Sequence, residues 1–256
     1  MTLFLFFLLI ACVVAGAIFV HRRERSREKT FGGPYYIDWK EPRETEEKPE
    51  QKPEREETER EKDGKNEEEK NKEENRMKKE DFVRVKDYIS DIEVDLKYAG
   101  KENFTENIIY DFSEAYLRRG TVEKLAAVQK QLKDLGYRIK IWDAFRPVAA
   151  QFKLWEVYPD DRFVANPTTG FSSHSRGNTV DITLVTLTGQ YVEMPTEFDD
   201  FSEQAGRAYA GISDEARENA LLLERLMEEA GFEAYVNEWW HYSDCEEYPV
   251  EEIFQP

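Results

Sequence analysis

SSHSRGNTVDITL, residues 172–184, changes at Gly177 from a polar segment to an apolar one. The apolar part is rich in β-branched residues and predicts a strand from Val180 to Leu187. His174 and Asp181 are seven residues apart, so on one uninterrupted strand their side chains would point to opposite faces. Because glycine tolerates bends that other residues avoid, we expect a turn at Gly177 that lets the two side chains converge.

A second motif, Glu238-Trp239-Trp240-His241-Tyr242, contains another of the three histidines in the chain. The third, His21, is expected to be incidental. A catalytic zinc ion takes three protein ligands and leaves a fourth position to water. His174, Asp181 and His241 form such a set. Glu238 precedes His241 by three residues, and a local turn would make it the general base at the metal.

A third motif, Asp143-Ala144-Phe145-Arg146-Pro147, follows a predicted strand. Pro147 is suited to the first position of the next helix. An arginine at the end of a strand can direct a fixed positive group at the oxyanion that forms during amide hydrolysis. Arg146 is therefore a candidate stabiliser of the transition state.

From Asp81 onward the sequence mixes helical and strand patterns around these motifs. Thr121 is a candidate N-cap, and Gly136 and Gly231 have the position of glycines that follow helices. The predicted elements are a helix over 122–135, a strand over 137–142, a helix over 148–158, a helix over 215–230 and a strand over 232–236.

Each motif also has an ordinary structural interpretation. A His–Asp pair is commonly a hydrogen bond, Arg-Pro before a helix is common capping, and paired tryptophans commonly pack in a core. Two histidines and a carboxylate also suit non-haem Fe(II), although the close His-x-Asp spacing of those sites is absent here. The presence of all three motifs in one small domain favours the zinc interpretation.

The motifs resemble those of the VanX-type zinc D-alanyl-D-alanine dipeptidases, over roughly residues 84–244. Three further strings match in order and spacing: DLKYAGKENFT at 95–105, AYLR at 115–118 and DAFRP at 143–147. The resemblance implies an α+β fold, in which a central antiparallel sheet flanked by helices carries the zinc site. It also implies site roles: His174, Asp181 and His241 as ligands of one Zn²⁺, Glu238 as acid/base, Arg146 as transition-state stabiliser, and Ser172, Tyr98 and Asp199 in the substrate pocket.

This resemblance predicts zinc-dependent hydrolysis of the dipeptide D-alanyl-D-alanine, in cell-wall precursor metabolism or glycopeptide resistance. One alternative is a D,D-carboxypeptidase that trims peptidoglycan stem peptides with the same metal site. An alternative of another class is a metal-stabilised wall-binding module without catalysis, although such a module needs neither Glu238 nor Arg146.

The N-terminal part of the sequence has a different composition. Residues 3–20 are uniformly apolar and just long enough to span a bilayer as a helix. Residues 41–80 are almost entirely charged or polar and cannot bury enough apolar surface to fold alone. We therefore expect a transmembrane anchor or signal at 1–21, a charged tether at 22–80 and the catalytic domain at 81–256.

These features predict a single-pass, membrane-anchored bacterial protein. Basic residues that follow the apolar run favour a cytoplasmic domain, whereas Leu9-Ile10-Ala11-Cys12 resembles a lipoprotein cleavage box. The net charge of −18 argues against a nucleic-acid partner. The sequence has two cysteines, one of them inside the apolar run, so an internal disulfide is not expected.

Overall fold

A computed structural model describes residues 70–75 and 78–256 of the chain. Residues 70–75 and 78–80 are helical and precede the first strand. The strands are β1 (Phe82–Arg84), β2 (Glu93–Val94), β3 (Tyr116–Arg118), β4 (Tyr137–Asp143), β5 (Thr179–Thr186), β6 (Phe232–Ala234) and β7 (His241–Asp244). Counted from Val85, the α-helices are α1 (Val85–Tyr88), α2 (Arg119–Asp134), α3 (Val148–Val157) and α4 (Asp214–Glu229), with 3₁₀ turns at Lys97–Ala99, Ser173–Arg176 and Glu203–Ala205.

Five of these strands form the main sheet, in the order β2-β4-β5-β7-β6. Strand β2 pairs with β4 in parallel, and the other three pairings are antiparallel. Strands β1 and β3 form a separate antiparallel pair. The long strand β5 therefore lies at the centre of the sheet, between β4 and β7.

One face of the sheet is covered by helices. Helix α2 contacts β4, helix α4 contacts β6, and the two helices contact each other. Alternate residues of β4 and β5 are buried in one core cluster with apolar residues of both helices. The strand residues in this cluster are Ile139, Ile141, Val180, Ile182 and Leu184. Because side chains alternate along a strand, Asp181 lies on the opposite face of β5 from Val180 and Ile182.

The segment after β7 packs back toward the start of the described domain. The backbone N–H of Glu251 donates to the carbonyl of Ser175 at 2.8 Å. The ring of Phe254 stacks on Phe82, with centroids 4.4 Å apart, and meets Phe145 edge-on at 5.4 Å. These contacts fasten the end of the chain beside the 3₁₀ turn that carries His174.

The predicted helices and strands agree with the structure to within a few residues, with one local error. Thr121 is not an N-cap, because α2 begins at Arg119 and Thr121 lies inside its first turn. Its hydroxyl instead donates to Asp244 Oδ2 at 2.9 Å, a tertiary contact that local sequence does not reveal. Gly136 and Gly231 follow α2 and α4 with φ of 91° and 89°, as expected of helix-ending glycines.

The predicted fold class is wrong as stated. The central sheet is mixed rather than antiparallel, because the two-residue strand β2 runs parallel to β4. The fold is a mixed α/β arrangement with two sheets.

The predicted membrane-anchored architecture and localisation also need correction. Within residues 70–75 and 78–256, no helix is both long and apolar enough to cross a bilayer. The proposed anchor at 1–21 lies outside the described residues. Of the tether at 22–80, only residues 70–75 and 78–80 are described.

Candidate active site

The 3₁₀ turn Ser173–Arg176 carries the first of the predicted ligands, His174. Ser172 caps this turn, since its hydroxyl accepts the backbone N–H of His174 at 3.3 Å. Gly177 ends the turn in the left-handed region, with φ of 75°, and the chain then enters β5. The expected bend between His174 and Asp181 is therefore present at the expected glycine.

Strand register brings acidic and imidazole side chains into one row across the sheet. Asp181 on β5 is directly opposite His241 on β7 and opposite Asp143 on β4. A register shift between Ile141 and Asp143, at Trp142, moves Asp143 onto the face of Asp181. Directly opposite residues of paired strands lie close enough for their side chains to meet.

His174, Asp181 and His241 converge on a common point. His174 Nε2 is 3.3 Å from Asp181 Oδ2 and 3.3 Å from His241 Nδ1. His241 Nδ1 is 3.0 Å from Asp181 Oδ1. Ligand atoms about 2.0–2.1 Å from a tetrahedral zinc ion would be about 3.3 Å from one another, close to the separations of His174 Nε2 from Asp181 Oδ2 and from His241 Nδ1.

One ring nitrogen of each imidazole faces that point. His174 Nδ1 donates to the carbonyl of Ala144 at 2.8 Å, so its Nε2 is unprotonated in the neutral ring. His241 Nε2 lies 3.5 Å from the hydroxyl of Ser173, and Nδ1 faces Asp181 and His174. Burial lowers the pKa of His241, which favours the neutral form that binds metals.

Asp181 presents an oxygen that the protein leaves without a hydrogen bond. Among the described residues, its buried Oδ1 has no hydrogen-bond donor, although His241 Nδ1 is close. Buried carboxylate oxygens are seldom left in this way, and a metal ion would satisfy this one. Burial by itself raises the pKa of Asp181, but His174 and His241 hold it below its usual value. The three side chains fit a divalent ion with nitrogen and oxygen ligands.

Glu238 is buried beside this cluster, with Oε2 at 3.5 Å from His241 Nδ1. A turn joins the two residues, since the N–H of His241 donates to the carbonyl of Glu238 at 3.4 Å. Burial, followed by the negative charges of Asp181 and Asp199, raises the pKa of Glu238 well above its usual value. The expected local turn of the Glu-x-x-His motif is therefore present.

Arg146 reaches the same cavity from the loop after β4. Its Nε and Nη2 donate to Asp143 Oδ2 at 2.9 and 2.7 Å, and Nη1 donates to Gln151 Oε1 at 2.8 Å. Asp143 Oδ1 in turn accepts the hydroxyl of Tyr110 at 2.7 Å. Arg146 Nη2 is 3.8 Å from Asp181 Oδ2, so the guanidinium lies next to the predicted metal ligands.

Tyr98 and Asp199 form another wall of the cavity. The hydroxyl of Tyr98 lies 3.2 and 3.1 Å from the two carboxylate oxygens of Asp199. Asp199 has φ of 58°, in the left-handed region that few non-glycine residues adopt. Burial and the charge of Asp181 raise the pKa of Asp199 well above its usual value.

All eight predicted site residues line one cavity of about 350 Å³, within the usual range for small-molecule sites. Sequence reasoning assigned no role to Asp143, Tyr110, Gln151 or Ser173, which orient the arginine and the second imidazole. The sequence contains one indication of the role of Asp143, which is its position three residues before Arg146 in the same motif. It contains none for Tyr110 and Gln151, because their contacts depend on tertiary structure.

Comparison with known proteins agrees with this geometry. The sequence model of the family described as D-Ala-D-Ala dipeptidase matches residues 78–255. A D-alanyl-D-alanine dipeptidase of Escherichia coli (strain K12) is 35% identical over 152 residues, which cover 59% of this chain and 78% of the relative. Enzymes of the same name from Enterococcus faecalis and Enterococcus faecium are each 32% identical, over 66% and 63% of this chain and 94% and 90% of the relatives.

The match to the family extends over all the elements from β1 to β7 and over each of the three motifs. The chain therefore belongs to the D-Ala-D-Ala dipeptidase family of peptidases.

Proposed function

We propose that this protein is a zinc-dependent dipeptidase that hydrolyses D-alanyl-D-alanine, with its catalytic domain in residues 81–256. The observation that carries the proposal is the convergence of His174 Nε2, His241 Nδ1 and the carboxylate of Asp181, with Glu238 beside them in one cavity. Membership of the family and the names of the relatives support the reaction and the substrate.

The proposed ligands of the single zinc ion are His174, Asp181 and His241. A zinc ion in this position supplies Lewis-acid chemistry, which polarises the scissile carbonyl and lowers the pKa of a water molecule to about 7. Two observations support this assignment. Asp181 Oδ1 is buried without a hydrogen bond, and one ring nitrogen of each histidine faces the proposed metal position.

Glu238 is the proposed acid/base. Its carboxylate takes a proton from the attacking water and gives it to the departing amine, and its burial keeps it away from bulk solvent. The high pKa that burial and neighbouring carboxylates give Glu238 suits a group that must hold the proton between these two steps. A cation close by offsets the repulsion between the three carboxylates of Asp181, Asp199 and Glu238.

Arg146 is the proposed stabiliser of the transition state. Asp143 and Gln151 fix its guanidinium through three hydrogen bonds, so the positive charge is oriented before the substrate arrives. A preoriented donor costs no reorganisation when charge develops on the carbonyl oxygen.

Tyr98, Asp199 and Ser172 are the proposed substrate contacts. Asp199 offers a half-buried carboxylate to the ammonium group of a dipeptide, and Tyr98 holds that carboxylate in place. Ser172 is fixed at the start of the turn that carries His174, where its hydroxyl also faces the cavity.

The test combines metal analysis with hydrolysis of defined peptides. We expect one zinc ion per chain and release of D-alanine from D-alanyl-D-alanine, with loss of turnover on chelation and recovery on adding Zn²⁺. L-alanyl-L-alanine and a pentapeptide stem ending in D-alanyl-D-alanine serve as comparison substrates.

Two outcomes would contradict the proposal. Cleavage of the pentapeptide stem without cleavage of the free dipeptide would identify a carboxypeptidase instead. If activity required iron and a reductant and was absent with Zn²⁺, the protein would not be a zinc hydrolase.

A further inference from the structure

Arg207 lies outside all three motifs, between the 3₁₀ turn Glu203–Ala205 and α4, yet its side chain is only 8% exposed. Its Nε donates to the carbonyl of Tyr235 at 2.8 Å. Its Nη2 donates to the carbonyls of Trp239 and His241, both at 3.1 Å. All three acceptors belong to the segment 235–241, which carries Glu238 and His241.

Backbone hydrogen bonds join the same two segments. The N–H of Arg207 donates to the carbonyl of Val236 at 3.0 Å, and the N–H of Trp239 donates to the carbonyl of Ala205 at 2.9 Å. Segment 205–207 therefore follows segment 235–241 along its length, with the guanidinium between them.

The other side of the guanidinium is anchored to helix α4 and to two tyrosines. Nη1 donates to Glu224 Oε2 at 2.8 Å and lies 3.2 Å from the hydroxyls of Tyr209 and Tyr242. The guanidinium carbon also lies over the ring of Tyr242, 4.5 Å from its centroid. A planar group with five donors can make these contacts together, whereas a lysine ammonium has a single nitrogen.

Inside the segment 235–241, the N–H of Tyr235 donates to the carbonyl of His241 at 3.1 Å, but the two hydrogen bonds on either side of Glu238 are long. The N–H of Glu238 reaches the carbonyl of Tyr235 at 3.4 Å, and the N–H of His241 reaches the carbonyl of Glu238 at 3.4 Å. Both are beyond the usual 2.7–3.2 Å of an N–H···O bond. The contacts of the Arg207 side chain with the carbonyls of Tyr235, Trp239 and His241 are shorter than these two and add a polar restraint on both sides of Glu238.

We propose that Arg207 is a positioning residue, which fixes the turn that presents Glu238 and His241 to the metal and substrate. It acts through the backbone of that turn and is not among the residues that line the cavity. The expected effect of Arg207 on kcat rests on the proposed function. Its expected effect on metal binding rests on the geometry of the turn alone.

The test compares Arg207→Gln and Arg207→Lys with the unaltered full-length chain. Arg225→Gln is the matched control, because it removes a guanidinium that pairs with Glu229 on the exposed face of α4. The measurements are the absorption spectrum of bound Co²⁺, the affinity for Zn²⁺ in competition with a chelator, and kcat and KM for D-alanyl-D-alanine. All are made well below the thermal midpoint of each variant.

We expect both Arg207 variants to lose about 10–100-fold in Zn²⁺ affinity or kcat, the range typical for residues that orient metal ligands. Their Co²⁺ spectra should change, KM should stay within about twofold, and lysine should not rescue because it cannot reach all three carbonyls. Arg225→Gln should match the unaltered chain in every measurement.

The proposal would be overturned if folded Arg207 variants kept the Co²⁺ spectrum, Zn²⁺ affinity and kcat of the unaltered chain, even if their thermal midpoints fell. If neither variant folds, Glu224→Gln replaces them, since it keeps the guanidinium but removes its charged anchor. A smaller change of the same kind is then expected, and unchanged values would overturn the proposal. A wild-type chain that binds Zn²⁺ but leaves the dipeptide intact would refute the proposed function alone, because spectra and affinity would still test Arg207.

Discussion

Three carboxylates, two of them buried, share the cavity, and their environments give them different chemistry. Asp181 has an imidazole on either side and a pKa below its usual value, although burial by itself would raise it. Glu238 and Asp199 line the same cavity and have raised pKa values. Groups with separated proton affinities in one cavity are typical of acid/base catalysis. This arrangement supports Asp181 as a permanent anion and Glu238 as the proton carrier.

Glu238→Gln tests this division of roles. The amide keeps the volume of the side chain but cannot accept the proton from water, so kcat should fall by about 10²–10⁴-fold. Zinc content should remain at one ion per chain, because Glu238 is not a proposed ligand. Glu218→Gln on the exposed side of α4 is the control for loss of one carboxylate. Full activity in Glu238→Gln would exclude the proposed mechanism.

At this scale the sequence predicted which residues meet, but not what orients them. The chain has three histidines, and two of them occur with a carboxylate in a short specific string. This makes four site residues recognisable: His174, Asp181, Glu238 and His241. Tyr110 is 33 residues from the Asp143 that it holds, and no periodicity connects the two. The contacts of Arg207 are likewise set by the packing of α4 against the last strands.

At the scale of elements, the turn between His174 and β5 depends on Gly177 for two separate reasons. Its φ of 75° is unfavourable for residues that have a Cβ. An added Cβ would also lie 2.5 Å from Phe82 Cζ. Phe82 cannot move freely, because it stacks on Phe254 and packs against Phe145.

Gly177→Ala should therefore lower the free energy of unfolding by about 2–4 kcal/mol, as the sum of backbone strain and overpacking. Gly136→Ala is the matched control, since Gly136 has φ of 91° but no atom within 4 Å of an added Cβ. That variant should lose only about 1–2 kcal/mol, the part due to strain. Denaturant unfolding of both variants measures the difference, and equal losses would mean that contact with Phe82 is unimportant.

The long elements were predictable and the short ones were not. Helices α2 and α4 each span 16 residues and contain a clear helical repeat of apolar residues. Strand β2 has two residues, too few for any alternation, and its parallel pairing with β4 overturned the expected antiparallel sheet. The register shift at Trp142 had no local signal either, although it aligns Asp143 with Asp181.

At the scale of the molecule, the cavity lowers the stability of the metal-free chain. Asp181 and Glu238 are buried there and Asp199 is half-buried, and mutual repulsion and lost hydration both oppose folding. A divalent cation that binds only the folded chain relieves this repulsion. Metal binding and folding should therefore be thermodynamically linked.

Adding Zn²⁺ to the metal-free chain should raise its thermal midpoint. At a free concentration of 100 times Kd, the stabilisation is about 2.7 kcal/mol, which corresponds to about 5–10 °C for a domain of this size. Differential scanning fluorimetry with and without chelator measures the shift. His241→Ala should lose most of it, and an unchanged midpoint in the parent chain would argue against a zinc site in this cavity.

The alignment of Asp143, Asp181 and His241 on three adjacent strands limits where insertions and deletions can occur in the sequence. Loops that join these strands can gain or lose residues without moving the three side chains relative to one another. A single residue inserted between Thr179 and Asp181 would instead rotate the carboxylate to the helix-covered side and abolish the centre. Length variation among homologues should therefore be absent from these three strands, and should accumulate in those parts of the connections that lie outside segments 143–147, 172–178 and 235–241.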